Sequence, residues 1–203
     1  MSIAQDVLRI VNSDLSIQKD LSRGLINHRA LARYILENHE LKASIDAVIS
    51  ALRRIEIEPA KEFDKKISNL FKDSIISTRN NLVCFTLKTD SIQSIQKILT
   101  KTTKVVTGTE EIKVIVDRTR TEAVESALSN FIIRVEKDIG EATIKLAEEA
   151  AKTRGVMARI ANEISLSKIN IIELLISVPE FLIYVKEKDV IKTHEVLLNL
   201  SGN

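Results

Sequence analysis

Few residues in this chain have the types and spacing that chemistry requires. Adjacent carboxylates stand at Glu110-Glu111 and Glu148-Glu149, a pairing that acid–base catalysis can use. Neither pair has a nucleophile and base beside it, so both read as solvated surface. His28, His39 and His194 are far apart, with no cysteine or histidine at metal-ligand spacing. His194 shares a helical face with Val190, Ile191 and Leu197 and reads as a packing or surface residue. Cys84 is the single cysteine, so no intramolecular disulfide can form, and a reducing cytoplasm is the expected compartment. It reads as a small buried residue on a strand. The five glycines are scattered, which leaves no phosphate-binding loop. The expectation is a chain with no catalytic residue, no metal and no cofactor: not an enzyme.

A second kind of chemistry is recognition of phosphates and bases. Arg29, Arg33, Ser44, Ser50, Arg53 and Arg54 could supply it if residues 27–37 and 44–55 formed a helix-turn-helix, with 44–55 as the reading helix. Asp46 and Glu56 flank that helix, however, and residues 1–66 hold 11 basic and 10 acidic side chains. A helical bundle serving dimerisation or a protein contact therefore stands beside the DNA reading. The net charge of +2 permits nucleic-acid binding without arguing for it. Aromatics at 3% remove the stacking platforms of single-stranded nucleic-acid binders and leave an aliphatic core.

The elements that must position these residues follow from periodicity. Hydrophobic residues at 44% and charged residues at 29% describe a soluble globular chain, and 203 residues suffice for two or three small domains. No apolar run reaches the roughly 20 residues of a membrane span, and the start of the chain lacks the charged and apolar regions of a secretory signal. Residues 1–58 read as helices: Val7, Leu8 and Val11 form one stripe, and Ser16 can cap a turn that Gly24 stops. Asn27 caps a helix carrying Ala30, Leu31, Tyr34 and Ile35, and Ser44 caps one carrying Ile45, Val48, Ile49 and Leu52. Pro59 marks a boundary. Residues 59–79 read as a linker helix, with Phe63, Ile67, Leu70, Phe71 and Ser74 at helical spacing.

From Asn81 the period changes to two. Val83, Phe85 and Leu87 alternate with polar neighbours, then Ile92, Ile95, Ile98 and Leu99 recur as on a helix. Residues 104–107 form a strand. Ile112, Val114 and Val116 form another, residues 122–128 a helix, and Phe131, Ile133 and Val135 a further strand. The order β-α-β-β-α-β nearly repeats over residues 140–200. A shift of about 69 positions lays Glu111-Ile112-Lys113-Val114-Ile115-Val116 on Glu180-Phe181-Leu182-Ile183-Tyr184-Val185, and Leu128 on Leu197. Internal duplication explains this. The second copy, at 139–203, ends before a fourth strand, so its edge must be short, covered or completed from elsewhere. Its first connection, residues 147–154, is long where the first copy, at 80–138, has only Thr89-Asp90-Ser91, and extra loop length is often functional.

Residues 144–171 resemble the second regulatory ACT module of aspartokinases. The likeness is carried by Thr153-Arg154-Gly155-Val156-Met157-Ala158-Arg159-Ile160 and Lys168-Ile169-Asn170-Ile171. Family members tend to read Thr-Pro-Gly-Val, then Ala-Arg-Ile, then Gly-Ile-Asn-Ile. Arg154 and Lys168 stand where the family has proline and glycine, and residues 147–152 replace a glycine-rich loop. The resemblance implies tandem ferredoxin-like βαββαβ ACT-type units without the kinase domain; residues 1–58 lie outside it, and their short helices read as a helix-turn-helix-like domain, so the expected chain is α+β. The resemblance also implies a ligand, commonly an amino acid, held between paired modules at Thr153, Gly155, Val156, Met157, Asn170 and Ile171. The expected whole is a cytoplasmic, homodimeric, allosteric regulator that relays to DNA or a protein. A protein-interaction or assembly module with no ligand is the alternative.

Overall fold

Short polar caps start the helices of the N-terminal part. A computed structural model describes residues 2–55 and 60–201, and it divides into a helical unit, 1–66, and a sheet unit, 67–203. The helical unit holds α1 (Ile3–Ser13), α2 (Leu15–Ser22), α3 (His28–Asn38) and α4 (Ile45–Leu52). Side chains of Ser2, Asp14, Asn27 and Ser44 accept backbone N–H groups at the four starts, the usual satisfaction of donors a helix leaves orphaned. Asn27 and Ser44 cap as the sequence indicates. The α2 cap is Asp14 rather than Ser16, because its carboxylate reaches both Ser16 N and Ile17 N.

Val7, Ile10, Val11, Ile17, Leu31, Ala32, Ile35, Val48, Ala51 and Leu52 form the helical core. Leu8 and Tyr34, read from periodicity as inward, are exposed instead. The core takes Ile10 and Ala32 instead, two residues away and so on roughly the opposite side of each helix. Glu56, the Pro59 boundary and the Phe63 side chain lie outside the described residues.

Helix α5 (Ala60–Phe71) is followed by β1 (Ile75–Lys88), α6 (Ile92–Ile95), β2 (Lys104–Thr107), β3 (Glu111–Asp117), α7 (Thr121–Leu128) and β4 (Ile132–Lys145). Then come α8 (Val156–Leu166), β5 (Glu173–Ser177), β6 (Glu180–Lys186) and α9 (Val190–Ser201). All six strands join one antiparallel sheet in the order β2-β3-β1-β4-β6-β5.

Two strands of 14 residues organise that sheet. The C-terminal half of β1, from Leu82, pairs with β3 and with the N-terminal half of β4. The C-terminal half of β4, from Ile139, pairs with β6 and with the N-terminal half of β1, Ile75 opposite Lys145. Each half-sheet therefore has the ferredoxin-like order 4-1-3-2. Residues 75–79, read from sequence as the end of a linker helix, supply the second module's missing fourth strand. The modules are interleaved rather than strung in line.

Each long strand changes module at a left-handed residue, Asn81 (φ 56°) in β1 and Asp138 (φ 59°) in β4. Asn and Asp are the side chains that tolerate this conformation best. The β1–β4 register slips between Arg79 and Leu82. The last of three slips in this ladder, between Thr86 and Leu87, accounts for another departure: Ile132 and Val135 pack on the core while Ile133 is exposed.

In the first module Val83, Phe85, Leu87, Ile112, Val114 and Val116 pack with Ile95, Ile98, Val124 and Leu128. In the second, Ala142, Ile144, Phe181, Ile183 and Val185 on the sheet and Val156, Ile160, Ile164, Val190 and Leu197 on the helices are all buried. The opposite sheet face is buried too. Leu82, Cys84, Ile115, Ile139, Leu182 and Tyr184 form one cluster there. Lys113 on β3 donates to Glu173 on β5 at 2.7 Å. Those strands lie four steps apart, roughly 19 Å in a flat sheet, beyond the reach of the two side chains. The sheet must curl so that its far strands meet across this concave face.

Candidate functional site

The long connection of the second module is built as a 3-10 helix, residues Glu148–Lys152. Its alanines suit a helical turn, Ala150 is buried, and Glu148 and Glu149 face solvent. The Thr153 hydroxyl donates to the Glu149 carbonyl at 2.8 Å, so it is engaged within the loop. Gly155 follows at φ 89° and starts α8 without a side-chain cap. Val156 is fully buried, whereas Met157 is half-exposed. The first turn of α8 thus leaves backbone N–H groups and the positive end of the helix dipole without a side-chain partner, the arrangement that suits a carboxylate.

Asn170 and Ile171 sit at the other end of α8. Helix α8 has 11 residues, a rise of about 16 Å, so a bound amino acid could not touch Gly155 and Asn170 of one chain together. Lys168 explains one departure from the family pattern. It takes a left-handed φ of 60°, and its N–H and that of Ile169 donate back to Ser165 and Ile164 to close α8. Glycine enters that conformation freely, and lysine enters it here at some strain. The strand expected over 170–176 begins at Glu173 instead; Ile172 N–H already bonds the Tyr184 carbonyl.

The concave face of the sheet holds a polar group that motif reasoning missed. Glu141 on β4, only 5% exposed, accepts the Tyr184 hydroxyl at 2.6 Å. Thr143 Oγ1 donates to its other oxygen at 3.4 Å, and the Arg79 guanidinium lies 3.7 Å away. Burial, then the hydrogen bond to Glu141, holds the Tyr184 hydroxyl well above the ordinary phenol range. A glutamate within a strand buried on both faces is itself the signal that could have found this group.

Cys84 lies on the same face. Burial first, then the Glu136 carboxylate, pushes its thiol from 9.0 up to about 11. Such a thiol stays protonated and unreactive. The hydrogen bond to Glu173 raises Lys113 above its ordinary value. An alkaline sensitivity follows. On unfolding, the Cys84 thiol ionises from about pH 9, whereas the folded chain keeps it protonated to about 11. Stability is full below pH 9 and falls as pH rises through that window, by on the order of 2 kcal/mol for this group. Tyr184 and Lys113, both raised, add losses of the same sign at higher pH. Urea midpoints should hold level from pH 7 to 8.5 and fall above 9, and Cys84→Ala should make that fall shallower.

The arginines of the helical unit do not converge on α4. Arg29 and Arg33 are exposed on α3, whereas Arg53 is the C-cap of α4 and Arg54 lies in the turn beyond it. Ser44 Oγ is engaged by Ala47 N–H, Asp46 occupies the first turn, and Ser50 is exposed. Two surface cavities of about 480 Å³ lie in this unit, one along α1 and one beside residues 38–41. Neither touches the candidate ligand residues. Among the described residues no group of three or more His, Cys, Asp or Glu could hold a metal ion, and no helix is long and apolar enough to cross a membrane.

No family model and no curated protein matches the chain. Solved structures do. The ligand-free regulatory subunit of aspartate kinase from Thermus thermophilus matches with a TM-score of 0.55 at 11% identity, over 62% of this chain and 97% of that one. The corresponding subunit from Thermus flavus matches with 0.52 at 12%, over 62% and 95%. The sheet unit has the ACT-type fold of aspartokinase regulatory modules. Aspartate kinase from Clostridium acetobutylicum matches with 0.53 at 14% identity, over 62% of this chain. The match spans about a third, 34%, of that kinase's length. Within the ACT-type pair of this chain, β3 and β6 both start at the glutamates that the internal repeat aligned, Glu111 and Glu180.

Proposed function

We propose that this chain is a non-catalytic regulatory protein whose tandem ACT-type modules sense a small molecule of the amino-acid class. The helical unit passes the signal to DNA or to a protein, through a ligand-driven shift between two arrangements. The observation that carries the reading is the match in fold between the sheet-containing part of this chain and proteins described as regulatory subunits of aspartate kinase. The uncapped start of α8 at Gly155-Val156-Met157 supports a carboxylate there, beside Thr153. Because Asn170 and Ile171 lie about 16 Å off, a complete site needs the second half from another copy. The edge strands β2 and β5 leave the sheet open to such pairing.

One observation favours the second reading, an assembly module with no ligand: the Thr153 hydroxyl is taken up by its own loop, beside two exposed carboxylates. A thermal-shift series over the twenty amino acids at millimolar concentration separates the two. The sensor reading expects at least one to raise the melting temperature by a few degrees. Met157→Glu, which puts a carboxylate at the helix start, should abolish that rise while leaving the unliganded melting temperature near its original value. If no amino acid shifts the melting temperature, the sensor reading fails and the assembly reading takes its place.

A further inference from the structure

The geometry points to α3, presented by an α2–turn–α3 helix-turn-helix, as a helix that lies against the phosphates and base edges of double-stranded DNA. The inference deepens the regulatory reading by naming the macromolecule that the helical unit meets.

Helices α2 and α3 are joined by three residues between their caps, Gly24, Leu25 and Ile26. A turn this short, with a glycine in it, is the mark of the motif. Gly24 takes φ +69°, with open space around its Cα. Its N–H bonds the Leu21 carbonyl and the next N–H bonds the Asp20 carbonyl, so α2 ends in a closed cap that a side chain at position 24 would strain. Asn27 then starts α3 by accepting from Arg29 N at 2.9 Å and Ala30 N at 3.1 Å. Both helices turn their apolar residues into one core: Ile17 from α2 and Leu31, Ala32 and Ile35 from α3, with Leu21 and Ile26 packed against it. The inner faces are locked, and the outer face of α3 is left to solvent.

That face is chemically suited to DNA. Arg29 and Arg33 stand one turn apart, both exposed, and among the described residues neither is held in an ion pair. Both lie in the half of α3 where the helix dipole is positive or neutral. Glu37, the one acid on the helix, falls in its last turn. A guanidinium fork matches phosphate oxygens and the guanine edge. A helix of 11 residues, about 16 Å long, lies readily in a major groove about 12 Å wide. Reading helices use their N-terminal residues. By that test α4 fails, since its N-terminal turn carries Asp46 and its arginines stand at its far end. The near balance of charge in residues 1–66, 11 basic against 10 acidic, implies modest affinity, with a shallow salt dependence set by the few phosphate contacts this face can make.

Fluorescence anisotropy of the full chain with a labelled random-sequence DNA duplex at 50 mM salt tests this. Binding is expected to weaken about tenfold in Arg29→Ala and in Arg33→Ala, with the salt slope shallower by about one per arginine. The paired variant Arg53→Ala with Arg54→Ala should bind as the original does. Circular dichroism melts keep loss of fold separate from loss of contact, and Arg29→Lys with Arg33→Lys should restore the salt slope. No binding at 50 mM salt, or loss on the Arg53 and Arg54 changes with none on Arg29 and Arg33, overturns the inference. The amino-acid thermal-shift series is read separately, so failure of the DNA surface leaves the sensor reading standing, and the reverse.

Discussion

A chain that begins at Asn80 should keep its first ACT-type module and lose its second. The first module is complete from Leu82 onward, since β1, β2, β3 and the early half of β4 supply its four strands. The second borrows its fourth strand from residues 75–79, which pair with Glu141 to Lys145 and pack under α9. Deleting that strand removes a ladder of five residue pairs. At about 1 kcal/mol net for each ladder hydrogen bond, the loss is on the order of 5 kcal/mol, comparable with the whole stability of a small domain. It also opens a new edge on β4. Hydrogen exchange is the measurement. Amides at Val83–Leu87 and Ile112–Val116 should remain protected, while those at Ile139–Lys145 and Phe181–Val185 exchange as in the unfolded chain. A chain beginning at Ile67 should protect both sets. Equal protection of both modules in the shorter chain would mean that the second stands without its borrowed strand.

This borrowing also marks the limit of what the sequence could show. Alternation from Val83, the Glu111/Glu180 repeat and the Gly155 start of α8 are local signals, and the fold follows them. The missing fourth strand was legible as an absence. Its source was not, because Ile75 meets Lys145 70 positions away and no local pattern records such a contact. Residues 75–79 follow a helix whose period masks the change. Leu8 and Tyr34 failed for a different reason: an apolar residue at helical spacing is compatible with the core but not required there, and tertiary packing chose Ile10 and Ala32. For the candidate ligand residues, the motif joined two segments that the structure holds at opposite ends of α8. The Glu141 group was hidden because burial of the second sheet face depends on the curl, a property of all six strands together.

The curl gives the second large effect. Tyr184→Phe should destabilise the sheet unit by about 1.5–3 kcal/mol, the range for a hydrogen bond to a buried charged acceptor. The hydroxyl and the carboxylate are both shut off from water, so the Glu141 oxygen would find no replacement donor. Arg79 is a weaker partner. Its side chain is 36% exposed and its nitrogen stands 3.7 Å from the carboxylate, so water screens the attraction and Arg79→Ala should cost about 0–1 kcal/mol. Glu141→Leu leaves the Tyr184 hydroxyl buried without an acceptor, at about 1–3 kcal/mol. Making both changes, Glu141→Leu with Tyr184→Phe, removes donor and acceptor together. The pair should therefore cost at least about 1 kcal/mol less than the sum of the single changes. Urea unfolding at pH 7, below every alkaline transition of the concave face, measures all four variants. If Arg79→Ala proves costlier than Tyr184→Phe, then the guanidinium and not the hydroxyl is the main partner of the buried Glu141 side chain. In that case the strand borrowed at residues 75–79 would be fixed to the second module by charge as well as by its ladder.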